Sequence, residues 1–423
     1  MKRTLNTIFL LPFLLYGCSN VVLSDDIKIA VITDVHFLSK EIALPGEALS
    51  AYENSTGRKV DDLHSVFNLV LNDLLEEEID ILLISGDLTN HGELQSHLDF
   101  IEKLKPLKDN GARIFVTPGN HDINIPNSKQ YIGDKAVPVA SVTVDEFEQL
   151  YYSFGFENTL SKDEASLSYV AEITNDIWLL SIDANRYEEN ISTSITSGRI
   201  RNETMLWALQ TLQEAQSKGV RVLGMMHHGL VEHMPFQSAF FSDYLVEDWS
   251  NKADSLADAG LEIVFTGHFH SNDITLHKSP SGNILYDIET ASLSQYPFAY
   301  RIMNLTDSAL YIDTRFVTST PTNSNLESEY RNKLKVLTNR ITENRLNNLG
   351  LPIPPNVKDI LREMIVRLYL AHVKGDEVLD SELLEMIKSF ASLLGNEVKD
   401  EEYTFDFPPE DNKLIIEFET FNR

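Results

Sequence analysis

A single cysteine, Cys18, stands in 423 residues, so no disulfide can close within one chain and no thiolate metal cluster can be built. Basic residues are scarce as well: 35 Lys and Arg face 64 Asp and Glu, a formal charge of -29. Such a surface repels phosphate backbones, which argues against a DNA or RNA binder. Long apolar runs are missing too, since the run from Ile8 to Tyr16 is too short to span a bilayer. No internal repeat is found. What remains is ordinary: 43% hydrophobic and 23% charged residues describe a folded, mostly soluble chain, long enough for one large catalytic domain and a smaller one.

Lys2 and Arg3 precede the Ile8–Tyr16 run, giving the charged start and apolar core of an export signal. The run ends in Leu15-Tyr16-Gly17-Cys18, which resembles the bacterial lipobox, where cleavage before the cysteine leaves its thiol for diacylglycerol attachment. The resemblance implies a signal peptide over 1–17, lipidation of Cys18 and a tether over 18–26. It also implies a mature protein anchored outside the cytoplasm in the bacterial cell envelope, at the outer membrane if the cell is Gram-negative, because Ser19 rather than Asp follows. An ordinary secretory signal with an incidental cysteine is the alternative.

Five short apolar runs recur: Ile27 to Thr33, Ile79 to Ser85, Arg113 to Thr117, Val220 to Met226 and Leu261 to Thr266. Each reads as a buried strand. Between most of them lie segments of helical periodicity, at Asp61 to Glu78, Glu93 to Leu107, Glu203 to Lys218 and Trp249 to Ala259. Gly111, Gly219 and Gly260 stand where helix ends need positive φ. Strands alternating with helices make an α/β fold. A long excursion over Ile123 to Ser166 precedes a strand pair, Leu167 to Ile173 and Ile177 to Ile182, and further strands over Ile284 to Val317 complete a second sheet. Ser319 to Ser324 has linker composition, which bounds a catalytic domain over 27–318 and a smaller, mainly helical domain over 325–423. That second part holds helical spacing over Glu327 to Leu346, Pro355 to His372 and Ser381 to Leu394, then a strand at Leu414 to Phe418; packing against the catalytic domain or self-association is its expected role.

The chemistry sits just beyond the five runs. There stand Asp34-Val35-His36, Gly86-Asp87, Gly119-Asn120-His121-Asp122, His227-His228 and Gly267-His268-Phe269-His270. Singly most are weak, because a Gly-Asp after a strand is usually a turn and a lone histidine is usually a satisfied polar group. Together they lie at the carboxyl ends of strands, where open α/β sheets place their sites. Four imidazoles, two carboxylates and one amide form a sulfur-free N/O donor set, suited to Mn, Fe, Zn or Co rather than to Mg or Ca.

In this order the motifs resemble the signature of the metallophosphoesterases, the calcineurin-like superfamily of binuclear metal hydrolases, over roughly Lys28 to Val317. The resemblance implies a sandwich of two mixed β-sheets flanked by helices and a site for two divalent transition-metal ions. One ion would be held by Asp34, His36, Asp87 and His270; the other by Asp87, Asn120, His227 and His268, with Asp87 bridging. His227 is preferred over His228 as the first histidine after its strand, and His228 could line the pocket. A hydroxide between ions about 3.5 to 4 Å apart would attack the phosphorus in line. Two ions less two carboxylates and a hydroxide leave about one net positive charge, enough to attract phosphate to an acidic protein. His121 is expected to face the substrate, stabilising the transition state or protonating the leaving oxygen, with Asp122 fixing its tautomer. His64, His91 and His97 are read as solvated or capping, although His91 could reach the pocket edge.

Asn90, three residues after Asp87, stands where purple acid phosphatases carry tyrosine, and Gly119-Asn120-His121-Asp122-Ile123 differs from the G-N-H-E-F-D of periplasmic 5′-nucleotidases. Gly86-Asp87-Leu88-Thr89 with Gly-Asn-His-Asp looks most like bacterial phosphodiesterases of cyclic nucleotides or glycerophosphodiesters. The expected substrate is therefore a small phosphodiester. A phosphomonoesterase for nucleotides, lipids or proteins is the nearest alternative, and a non-catalytic envelope binding protein is another. Pocket walls are expected from Phe37 to Val60, with Tyr52, Arg58 and Lys59, from Ile123 to Tyr152, and from Leu230 to Ser250, with His233, Phe236, Phe240 and Phe241. Those aromatic rings either stack on a base or belong to the core, with core favoured.

Overall fold

A computed structural model describes residues 26–235, 237–348, 353–378, 381–393 and 408–418. The expected signal peptide, Cys18, nearly all of the expected tether and Phe236 lie outside the described residues. From the start of the described chain, β1 (Ile27–Ile32) leads to α1 (Glu47–Thr56) and α2 (Val60–Glu76), then β2 (Ile81–Ser85), α3 (Leu94–Asp109) and β3 (Arg113–Thr117). The excursion that follows holds a hairpin, β4 (Lys129–Ile132) and β5 (Lys135–Pro138), and α4 (Val144–Leu150). Next come β6 (Ser161–Lys162), β7 (Tyr169–Thr174), β8 (Ile177–Ile182), α5 (Asn202–Lys218), β9 (Arg221–Met226), α6 (Gln237–Phe240), α7 (Trp249–Asp258) and β10 (Ile263–Thr266). Four strands follow, β11 (Asp273–Lys278), β12 (Ile284–Glu289), β13 (Ala299–Leu305) and β14 (Ala309–Phe316). Last are α8 (Leu326–Asn348), α9 (Pro355–His372), α10 (Ser381–Leu393) and β15 (Lys413–Glu417).

These strands build two mixed sheets, ordered β15-β14-β13-β1-β2-β3 and β11-β12-β10-β9-β8-β7-β6. β1, β2 and β3 run parallel, as do β8, β9, β10 and β12. Parallel strands covered on both faces read as unbroken apolar runs, which is why Ile81–Ser85 is buried throughout. Alternation within β9 divides the core. Leu223 and Met225 join the cluster shared with the first sheet, whereas Val222 and Met226 pack with Ala208, Leu212 and Ala215 of α5. On α2, Leu63, Val66, Phe67, Val70, Leu71 and Leu74 are buried, the stripe a 3.6-residue period lays against a sheet.

Within the excursion α4 carries a start signal: Thr143 accepts from the Glu146 N–H while the Glu146 carboxylate accepts from the Thr143 N–H, a capping box. The terminal strand lies in the first sheet. β15 pairs antiparallel with β14, Leu414 opposite Ile312 and Ile416 opposite Leu310. α8 also packs on the catalytic fold, with the Tyr330 ring 4.9 Å from Phe298 and its hydroxyl 3.2 Å from the Asp62 carboxylate. Among the described residues no helix is long and apolar enough to cross a membrane.

Candidate metal centre

Loops after β1, β2, β3, β9 and β10 converge, and those after β1, β2 and β10 are conformationally strained. Asp34 (φ 49°), His36 (45°), Asp87 (49°), His268 (72°) and His270 (63°) all sit in the left-handed region that non-glycine residues avoid. Such strain persists only where surrounding contacts over-determine it, and it clusters at functional sites. Two glycines make room. A Cβ on Gly119 would stand 2.1 Å from the Asp87 nitrogen, and one on Gly267 would stand 2.6 Å from Asp34 Oδ2.

The seven residues expected to be ligands come together here. Asp34, His36, Asp87 and His270 form one group and Asp87, His227 and His268 another, the offered atoms in each lying within 4.8 Å of one another. Asp87 belongs to both: Oδ2 lies 3.4 Å from His36 Nε2 and Oδ1 lies 3.5 Å from His227 Nε2. Asn120 joins the second group through Oδ1, 3.2 Å from His227 Nε2.

Hydrogen bonds around these atoms leave their lone pairs aimed inward. His227 Nδ1–H donates to the Ser85 carbonyl at 2.8 Å, so Nε2 carries a lone pair against the Asn120 oxygen with no proton between them. His268 turns Nε2 toward the Asp243 carbonyl, leaving Nδ1 as its ligand atom. Asp34 Oδ2 accepts from the His268 N–H at 2.9 Å and the Thr33 hydroxyl at 2.7 Å, while Oδ1 lies 3.0 Å from His270 Nε2. Burial pushes His36, His227 and His268 down, toward the neutral imidazole that binds metal. Asp87 is pushed up by burial and by the carboxylates of Asp34 and Asp122, a shift that a bound cation would oppose by favouring the ionised form. Around His227 Nε2 the Asn120 and Asp87 oxygens stand at 3.2 and 3.5 Å with no donor between them, and the buried sulfur-free set fits divalent transition-metal ions.

Asp122 does not do what the sequence suggested. Its carboxylate accepts the N–H groups of Leu88, Thr89 and Gly119 and the Thr89 hydroxyl at 2.8 to 3.1 Å, buckling the β2 and β3 loops together. The His121 tautomer is set by the Asn90 carbonyl, 2.9 Å from Nδ1, which leaves Nε2 for proton transfer. His91 is nearer the site than its sequence context indicated: its ring stacks on His121 at 5.0 Å and the Nδ1 atoms are 3.1 Å apart. His121 itself stands edge-on to His36 at 4.8 Å.

Residues 27–272 match the calcineurin-like phosphoesterase family. The chain belongs to that family. A protein of Xenorhabdus bovienii named probable cyclic nucleotide phosphodiesterase is 24% identical over 214 residues, 47% of this chain and 77% of that protein. Another of that name, from Coxiella burnetii, is 31% identical over 139 residues, 33% of this chain and 47% of that one. Among solved structures, a dimetal phosphatase from Danio rerio overlays with a TM-score of 0.48 at 13% identity, covering 69% of this chain and 96% of that one.

The remaining histidines and cations of this phosphoesterase sort by contact. His64 bonds the Leu38 carbonyl, and His97 is fully buried between the Tyr151 hydroxyl and the Asp122 carbonyl rather than solvated. His228 bonds the Thr196 carbonyl while its ring packs 4.4 Å from His268. His233, expected in a pocket wall, is buried 2.6 Å from Asp273. Phe241 is half-buried, its ring 5.4 Å from Phe269 and 4.5 Å from the Arg345 guanidinium above it, and Tyr244, unnoticed in sequence, lies 5.0 Å from the His268 ring. Lys59 is engaged by Glu329, and Arg186 by Glu189 and Glu247. Arg58 is the cation whose field falls on His36, His91, His121 and Asp87.

Proposed function

We propose that this chain is a binuclear metal-dependent phosphodiesterase acting on small phosphodiesters of the cyclic nucleotide or glycerophosphodiester type. The sharing of Asp87 between two buried ligand groups carries the reading. When bound, a pair of divalent ions supplies a water acidified enough to attack at neutral pH and a clamp for the phosphoryl oxygens. The chain's own residues orient and move protons around that pair. Asp34 is fixed by the His268 N–H and the Thr33 hydroxyl, and Asp87 by the His121 N–H at 2.9 Å. His121, its Nδ1–H bonded to the Asn90 carbonyl, is a neutral ring with a bare Nε2 until that nitrogen takes up a proton; the imidazolium would then give that proton to the leaving oxygen and return to the neutral ring.

The names of the two bacterial relatives support a diester. So does charge, since about one net positive charge suits a monoanionic diester. Arg58 favours a second reading, a phosphomonoesterase, because one guanidinium can hold a dianion through two hydrogen bonds. The expected result is a higher kcat/KM for bis(p-nitrophenyl) phosphate than for p-nitrophenyl phosphate in Mn-loaded enzyme at neutral to mildly alkaline pH. A preference for the monoester that Arg58→Ala erases would replace the first reading by the second.

Lipid anchoring through Cys18, outside the cytoplasm, is the second part of the proposal, supported by the Ile8–Tyr16 run that ends at the chain's one cysteine. Cys18→Ser is expected to move the protein from the membrane fraction to the soluble fraction with hydrolysis unchanged. A wild-type chain found wholly soluble would refute the anchor.

A further inference from the structure

Behind the His268–His270 loop lies a second buried cluster that the hydrolytic site does not use. Asp273 opens β11, three residues after His270; His372 ends α9; Glu377 follows in the next turn. Their ligand atoms lie within 4.8 Å of one another and all three are buried. His372 Nδ1 is 2.5 Å from Glu377 Oε1 and 3.6 Å from Asp273 Oδ2. His233 extends the cluster, with Nδ1 2.6 Å from Asp273 Oδ1 and Nε2 3.4 and 3.6 Å from the carboxylates of Asp287 and Glu289.

Acidity alone would not make this a site. The second observation is that Asp273 Oδ2, Glu377 Oε2 and His372 Nε2 are buried without a hydrogen-bond partner among the described residues. Native interiors leave few such atoms, and a group of them converging on one spot marks an ion or ligand to be accommodated. Five buried carboxylates, Asp273, Asp287, Glu289, Glu377 and Asp411, share the region with one guanidinium, Arg301, and two imidazoles, His233 and His372.

We propose that Asp273, His372 and Glu377 form a third metal site, holding a single divalent transition ion such as Zn²⁺ or Mn²⁺. One imidazole with carboxylates and no sulfur suits those ions. The ion would pin the end of α9 to the edge strand β11. Phe269, between His268 and His270, has its ring 5.9 Å from Tyr369 and 5.7 Å from His372, so the pinned helix lies directly behind the ligand loop. This ion is structural and does not depend on the hydrolase reading.

The test is metal content of the full chain after dialysis against a weak chelator, measured by plasma mass spectrometry for wild type, Asp87→Ala, His372→Gln and Glu377→Gln. Wild type is expected to hold about three ions, Asp87→Ala about one, and the two outer variants about two each, because an ion held by few ligands is lost with any of them. Glu377→Gln preserves shape and the bond to His372, so it reports on the site even if His372→Gln fails to fold. A strong chelator should lower the thermal midpoint of Asp87→Ala and leave that of the Asp87→Ala, Glu377→Gln double variant unmoved. An Asp87→Ala chain that holds no ion, or Glu377→Gln with the metal content of wild type, would overturn the proposal.

Discussion

Asp87→Ala is expected to empty both ligand groups at the hydrolytic site and abolish phosphoester hydrolysis, whereas His121→Ala should keep both ions and lower kcat by about 100-fold or more. Asp87 gives one oxygen to each group, Oδ2 toward His36 and Oδ1 toward His227, so no other single ligand can take both ions with it. The hydrogen bond from His121 to that pair is made by its backbone N–H, which donates to Asp87 Oδ1 and survives truncation of the ring. What the alanine removes is Nε2, the atom left for proton transfer once Nδ1 is tied to the Asn90 carbonyl. Metal analysis and steady-state kinetics on both variants separate the roles. Equal metal loss in the two would move His121 from proton donor to structural support.

Much of this was legible because the informative residues are chemically unusual for their positions. Five apolar runs each ending in Asp, Asn or His foretold both the buried parallel strands and the residues at their ends, and the seven expected ligands do meet. The misses share a cause. Sequence assigned the His121 tautomer to Asp122 because a side chain can be seen in sequence, whereas the partner, the Asn90 backbone carbonyl, carries no sequence signature. His233, Asp273, His372 and Glu377 stand on four separate elements or turns with no local spacing to join them, so their cluster exists only in the fold. The strand at the end of the chain was readable from alternation, but its place beside β14 depends on a pairing across about a hundred residues, which hydrophobic pattern does not specify. Helix α4 went unread although Thr143 and Glu146 have the spacing of a capping box, because it is only seven residues long and lays down no extended apolar stripe.

Arg301→Met is expected to cost about 3 to 5 kcal/mol of folding stability, the range for removing one partner from a buried charged network. Arg301 is the largest fully buried side chain among the described residues. It lies on β13 of the first sheet and its guanidinium reaches three other elements. Nε donates to the Thr290 hydroxyl at 3.2 Å, one terminal nitrogen to the Thr314 hydroxyl at 2.7 Å and the Asp411 carbonyl at 2.6 Å, and the other to the Glu289 carbonyl at 2.7 Å. Those contacts tie β12 of the second sheet to β14 and to the turn that leads into β15. Methionine keeps much of the volume, so little of the loss comes from a cavity; four acceptors lose their donors, and the carboxylates of Asp273, Glu289 and Asp411 lose the guanidinium that faces them. Arg301→Lys restores the charge but not the planar fork, and should recover part of the loss. Denaturant unfolding of the three proteins at one pH and metal concentration measures the effect. A loss below about 1 kcal/mol for Arg301→Met would mean that the network is satisfied by water or by a cation instead of this side chain.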